Sequence, residues 1–332
     1  MSRKSRAARR IRPWWLIAVF GAASVVMGLW PSQDFTPNRV AIPVPVDGTP
    51  VLEVLDRVAS QSPEAHLNLL RFGAVLQGNF GVPRGYYEIS PSEPWWRTLR
   101  RLKMGYETPR QLTVRGYQGR EAVVGRVADV FFATPQALDS ALYQGDSTVP
   151  VLPNTYEVYA SLTAQEVAQR MGREFDAFWN ANRVQAAAQL GLSRYEVYVL
   201  ASIVQAESKE PEEWPRIAGV YLTRLKQGKR LEADPTVVYA VLDRKLAPAP
   251  IRRVTGAMLR VAHPYNTYRN EGLPPGPLAT VHPPVIDSVL ASSATGELFF
   301  CANPAKPGFH LFSKSYAEHL RNRSRYLKAI TP

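Results

Sequence analysis

Apolar residues recur with helical period along Ser193 to Glu207 (SRYEVYVLASIVQAE). Leu200, Ile203 and Val204 mark one face by their i, i+3, i+4 spacing, and the next position on that face is Glu207. Ser193 and Glu196 have the spacing of a capping box, and Leu192 with Val197 that of a hydrophobic staple, so the start of this helix is well specified. A carboxylate therefore continues a buried stripe. Burial disfavours the charged form, so a carboxyl placed there is expected to hold its proton toward neutrality, as a general acid must. The helix alone leaves two other readings open. Glu207 is either a partly exposed residue of the last turn or the ion-pair partner of Arg216 or Arg224.

The same pattern orders the rest of the chain. A strand over 41–46 (AIPVPV), helical periods over 50–60 and 63–76, a strand over 85–89 and a helix capped by Ser92 and ending near Met104 predict a small α+β module. The stretch 111–142 adds the strand Leu112-Thr113-Val114 and two helical patterns, and the module is expected to occupy 40–145. Trp95 and Trp96 within it read either as core or as a platform for sugar rings. A second, larger mixed α+β domain is expected over 146–332. It begins with Asn154 to Val158, an amphipathic helix over Thr163 to Trp179 and another over Arg183 to Leu190, ahead of the Glu207 helix.

Beyond Glu207, the acids Glu210, Glu212 and Glu213 around Pro211 suit the first turn of a helix running to about Gln227. Asp234 reads as an N-cap with Pro235 at the first helical position. About 40 residues after Lys245 are proline-rich and loop-like, as in a rigid groove for a polymer. A helix over 284–293, strands over 297–303 and 308–312, and a basic helix over 315–328 complete the pattern.

Charge changes the picture at the start of the chain. The net charge of +12 over 332 residues is uneven, because Arg3, Lys4, Arg6, Arg9, Arg10 and Arg12 all fall in residues 1–13. A short basic tail of this kind weakens any nucleic-acid reading. Residues 14–30 (WWLIAVFGAASVVMGLW) are uncharged with tryptophans at both ends, which predicts a transmembrane helix. The positive-inside rule puts the tail in the cytoplasm and the chain beyond the linker 31–39 outside, in a single pass through the inner membrane. No small-x-small site follows the apolar run, so an uncleaved anchor is expected rather than a signal peptide. Cys301 is the only cysteine and is expected to be a small buried hydrophobe, so no intrachain disulfide forms. The five histidines show no tight ligand spacing, and neither a metal nor another cofactor is expected.

Several motifs in register carry a resemblance. Ala201-Ser202-Ile203-Val204 with Glu207, Ile217 to Tyr221 with Arg224-Leu225, and Leu231 with Asp234-Pro235-Thr236-Val237-Val238-Tyr239 resemble the YceG-like family of endolytic murein transglycosylases. So do Pro264-Tyr265-Asn266-Thr267-Tyr268, Gly272 to Pro277, and the closing His310, Phe312-Ser313, Glu318-His319. Pro153 to Tyr156 is similar to the segment joining the family's two domains, and Pro83 to Tyr87 with Leu102 and Gly105 to its LysM-like module.

The resemblance implies a lyase that cuts peptidoglycan strands internally, leaving 1,6-anhydro ends, with Glu207 as general acid and then base. It also implies that Asn266 and Tyr268 position the sugar, while Asp234 and Tyr239 shape the cleft. Together with the topology it implies action at the outer face of the membrane beside a peptidoglycan synthase. The chain departs from the family pattern at Gln205-Ala206, Thr223, Glu232-Ala233, Thr280 to Pro284 and Thr113 to Tyr117. Two rival classes stay open. One is a hydrolytic muramidase pairing Glu207 with Asp234 or Glu232, and the other is a wall-binding scaffold without catalysis.

Overall fold

The computed structural model describes residues 38–63, 65, 67–90, 93–143 and 148–330. The basic tail, the apolar run 14–30, nearly all of the linker, His66 and Ser92 lie outside these residues. Among the described residues no helix is long and apolar enough to cross a membrane.

The chain divides into two compact units, the first extending to Arg110 and including Val158–Ser161. It contains β1 (Val40–Val44), β2 (Thr49–Pro50), α1 (Val51–Gln61), α2 (Asn68–Leu76), β3 (Gly81–Val82), β4 (Gly85–Ile89) and α3 (Trp95–Met104). β1 and β4 pair antiparallel, with Ile42 opposite Tyr87 and Val40 opposite Ile89, so the period of two brings alternate apolar residues to one buried face. α1 covers that face with Val51, Val54, Leu55 and Val58. The expected helix over 63–76 begins only at Asn68, because the chain first turns at Ser62–Ala65, where the Ala65 N–H bonds the Ser62 carbonyl. The residue preceding α3 is Pro94 rather than Ser92. Trp95 and Trp96 part company: Trp95 packs on the core against Gly73, while Trp96 is 39% exposed beneath the Arg97 guanidinium.

The second unit comprises Gln111–Glu157 and the chain from Leu162 onward, so residues 111–145 fall with it rather than with the first module. The reason is pairing. Strand β5 (Arg110–Val114) finds its neighbour in β6 (Asn154–Val158), and the backbone of Tyr117 and Gln118 exchanges hydrogen bonds with Thr280. Between the strands lie α4 (Arg120–Ala128) and α5 (Pro135–Tyr143). Then follow α6 (Ala164–Phe178), α7 (Ala181–Leu190), α8 (Arg194–Glu207), α9 (Trp214–Lys226), α10 (Asp234–Asp243) and α11 (Pro283–Leu290). The hairpin β7 (Phe299–Ala302) and β8 (His310–Ser313) and the helix α12 (Tyr316–Ile330) complete it. Cys301 is half-buried rather than sunk in the core.

Helix α8 is the axis of this unit. Its capping box forms as the spacing predicts, with Ser193 accepting the Glu196 N–H and Glu196 accepting the Ser193 N–H at 2.8 Å. Every residue from Val197 to Gln205 is buried, so the helix has protein on all sides, packed by α9, α10 and α11. Its polar side chains are hydrogen-bonded, as buried polar groups must be. Ser202 accepts the Leu278 N–H at 3.0 Å, and the Gln205 amide donates to the Thr280 carbonyl at 3.0 Å and accepts the His282 N–H at 2.9 Å. Thr223 donates to the Gly219 carbonyl and accepts the Gly296 N–H. Two departures from the family pattern, Gln205 and Thr280, thus sit in hydrogen bonds that hold a loop against this helix, and a third, Thr223, holds the Gly296 segment against α9.

Candidate active site

The last turn of α8 delivers Glu207 from the buried stripe Leu200, Ile203, Val204 to a point where its side chain keeps partial solvent access. Neither expected arginine pairs with it. Arg216 forms an ion pair with Glu297 at 2.5 Å, and Arg224 bonds the Leu298, Arg230 and Leu231 carbonyls and Glu232. What meets Glu207 is Tyr221, whose hydroxyl donates to Oε1 at 2.6 Å.

Tyr221 is buried on α9 because it follows Ile217 and Ala218 at i+4 and i+3 on the face turned to the core. Helix α9 also lies close against the segment after α11, because Gly219 lacks a Cβ, which would stand 2.8 Å from the Ser293 carbonyl oxygen. Burial lifts the Tyr221 hydroxyl well above its usual pKa, so it stays a donor throughout the physiological range. The Glu207 carboxyl is pushed up to about 7, first by loss of solvent and also by the charge of Asp234, while the Tyr221 hydrogen bond acts in the opposite direction. Near neutral pH it is divided between acid and base forms.

Asp234 opens α10, but as the first helical residue rather than the cap. Ala233 precedes the helix, and its N–H bonds the Thr267 hydroxyl at 3.0 Å. The exposed Asp234 carboxylate instead accepts the Tyr268 hydroxyl at 2.7 Å. Burial and the nearby carboxylates Asp234, Glu232 and Glu207 raise the Tyr268 hydroxyl, keeping it protonated. Glu207, Tyr221, Asp234 and Tyr268 therefore form one electrostatically linked group.

Asn266 and Tyr239 lie differently from the sugar-contact and cleft-shaping roles that the resemblance implies. Asn266 is wholly buried, its amide donating to the Leu259 and Val261 carbonyls and its oxygen accepting the Tyr268 N–H. It fixes the loop that presents Tyr268, leaving no carboxamide atom facing open space. Tyr239 stacks on Tyr265 with ring centroids 4.2 Å apart. Both rings line a small cavity of about 40 Å³ with Arg120, Tyr143 and Tyr198, and Glu207 is not part of that lining.

The sequence gives Tyr221 no role of its own, since a tyrosine at helical spacing reads as core. Of the acids ahead of α9, Glu213 is buried and accepts both the backbone N–H and the ring Nδ1 of His310, at 2.7 and 2.8 Å. It also accepts the Ser208 hydroxyl at 3.3 Å, which ties β8 to the end of α8. Among the described residues no cluster of three or more His, Cys, Asp or Glu could hold a metal ion.

The YceG-like family model matches residues 47–325. An endolytic murein transglycosylase of Bacillus subtilis is 33% identical over 138 residues, covering 42% of this chain and 36% of that protein. Another, from Streptococcus pneumoniae, is 23% identical over 355 aligned residues, covering 93% of this chain and 62% of that one. The chain thus spans less than two thirds of the length of either relative. The 2.6 Å crystal structure of a yceG-like protein from Listeria monocytogenes matches with a TM-score of 0.50 at 22% identity, over 86% of this chain and 99% of that one, a likeness of fold. With the match running through both compact units and across Glu207, Asp234 and Tyr268, the chain belongs to the YceG-like family.

Proposed function

We propose that this chain is an endolytic murein transglycosylase with Glu207 as its single acid and base. The observation that carries the reading is the Glu207 carboxyl at the end of a buried helix, raised to about 7 and hydrogen-bonded by Tyr221. That the Bacillus and Streptococcus relatives are endolytic murein transglycosylases supports it.

Protonated Glu207 gives its proton to the oxygen joining N-acetylmuramic acid to N-acetylglucosamine as the C1–O bond breaks. The Tyr221 hydroxyl stabilises the carboxylate this leaves. The carboxylate then takes the proton of the muramic acid C6 hydroxyl, whose oxygen closes on C1 to give the 1,6-anhydro end. Glu207 finishes protonated, and no water is consumed. Tyr268, held by Asp234, shapes the open side of the cleft, Asn266 braces that loop, and Tyr239 ties α10 to the loop through its stacking on Tyr265.

A hydrolytic muramidase would need a second carboxylate acting on water. Glu232 is held by Arg224 at 3.0 Å, which leaves Asp234 as its candidate. Digestion of glycan strands in ¹⁸O-water separates the readings. The lytic reaction puts no solvent oxygen on the new muramic acid end, whereas labelled reducing ends would overturn it, and binding without any cleavage would favour a scaffold.

The first unit is read as a LysM-like module and residues 14–30 as a single-pass anchor that keeps the active site at the outer face of the cytoplasmic membrane. There it would trim strands as a peptidoglycan synthase makes them. Recovery of the full chain in the soluble fraction after cell lysis would remove the anchor from this account.

A further inference from the structure

The loop between α10 and α11 is strongly basic over its first 27 residues, with a single acid, Glu271, just beyond them. From residue 244 to residue 270 it carries Arg244, Lys245, Arg252, Arg253, Arg260 and Arg269 and no carboxylate. All six are exposed, as is Arg230 beside it. Of the acids beside it, Glu232 pairs with Arg224 at 3.0 Å and Asp243 with His263 at 3.1 Å, while Glu271 is exposed at the end of the stretch. Among the described residues no carboxylate lies within ion-pair distance of any of these seven cations.

This loop is also the one that presents Tyr268 to Asp234 beside Glu207. Arg230 donates to the Tyr268 carbonyl at 3.3 Å, and Arg269, the next residue along, donates to the Arg260 carbonyl at 2.8 Å. The guanidinium groups of Arg230 and Arg269 are thereby held on the segment that carries Tyr268, with the backbone of the exposed Arg260 beside them. Unneutralised cations beside a cleft repel one another and raise the local concentration of anionic ligands. The sugar rings of a glycan carry no charge to meet them. Its muramic acid residues do, through the carboxylates of the peptide stems on their lactyl groups, and an internal cut leaves a stem close on the muramic acid being cleaved.

We propose that Arg230, Arg260 and Arg269, with the rest of loop 244–270, form a subsite for peptide-stem carboxylates, so that the substrate is stem-bearing rather than denuded murein. This rests on the murein reading above. Arginine suits the task, since its planar guanidinium takes a carboxylate in two parallel hydrogen bonds.

The test is binding by the full chain in detergent, carrying Glu207→Gln so that no turnover intervenes. The probes are purified glycan strands with stems and the same strands stripped by an amidase, which keep only the lactyl carboxylate freed on each muramic acid. Stem-bearing strands should bind about tenfold tighter at low salt. The preference should shrink as salt rises and vanish when Arg230, Arg260 and Arg269 are all changed to Gln in a chain of unaltered melting temperature. Lysine at the same three positions should restore a salt-sensitive preference, which a purely structural role of the arginines would not. Equal binding of both strand types at every salt concentration would overturn the proposal. Binding that survives stem removal only on strands with a lipid diphosphate end would also overturn it, by moving the ligand to phosphate. Failure of either strand to bind would sink it together with the murein reading, which the ¹⁸O digestion tests separately through product chemistry.

Discussion

At Glu207 three influences act on one proton. Desolvation raises the carboxyl, the Asp234 charge raises it further, and the Tyr221 hydrogen bond draws it down, leaving it at about 7. Activity should therefore fall as pH rises through about 7, where the acid form is lost. Tyr221→Phe should move that limb to higher pH and cost about tenfold or more in kcat, since a donor to the forming carboxylate is gone. Asp234→Asn should move the limb the other way, and pH–rate profiles of the two variants check both signs.

The same shift bears on stability. Between pH 4.5 and about 7 the unfolded chain has already lost this proton while the folded chain still holds it, so stability declines as pH rises across that window. Glu207→Gln removes the penalty. It should stabilise the fold by up to about 3 kcal/mol at pH 8, less whatever solvent access at the site screens, and by nothing below pH 4.5; thermal unfolding at the two pH values measures it.

The burial of the Glu207 face was legible because a carboxylate interrupts an otherwise apolar stripe, a break that a one-dimensional pattern records. The partner of that carboxylate was not, because the hydroxyl of a tyrosine in a core stripe leaves no trace in hydrophobic periodicity. Asn266 misled for the opposite reason. A polar residue in a Pro-Tyr-Asn-Thr loop suits a ligand contact as well as it suits bonding its own backbone, and here the backbone takes all of it.

Helix α8 owes its position to both ends. Ser193→Ala would remove the side-chain cap and should cost about 1 kcal/mol, seen as a lower melting temperature with little change in chemistry. On α9 the demand is on close approach. Gly219→Ala would drive a methyl to 2.8 Å from a backbone carbonyl in a packed region, which should cost ~1–3 kcal/mol and also displace Tyr221 from Glu207. Activity lost beyond what the fall in stability explains would report that displacement. Helices α1, α6, α7 and α8 were legible from periodicity and, for α8, from a capping box that formed as spaced. The N-terminus of α10 was misread because Asp-Pro fits both a cap and a first helical turn. The choice was made by Thr267, distant in sequence, which bonds the Ala233 N–H.

At the scale of the molecule, the order of strands and helices was readable, while the boundary between the two units was not. Residues 111–145 look like a continuation of the small module, yet their strand pairs with β6 and their backbone bonds Thr280, more than 150 residues away in sequence. Long-range pairing of that kind is invisible to local pattern. On the proposed reading, the basic tail and the apolar run 14–30 anchor the chain in the membrane. Removing residues 1–37 should release the protein into the soluble fraction without altering the ends it generates on isolated strands.

The central claim is that Glu207 alone performs an internal lytic cut. Its most direct test is mass spectrometry of glycan strands incubated with the native protein and with Glu207→Gln, each verified as folded. The account predicts shortened strands ending in 1,6-anhydromuramic acid from the native protein and none from the variant. Undiminished anhydro ends from the folded variant would contradict it and assign the proton transfers to another residue.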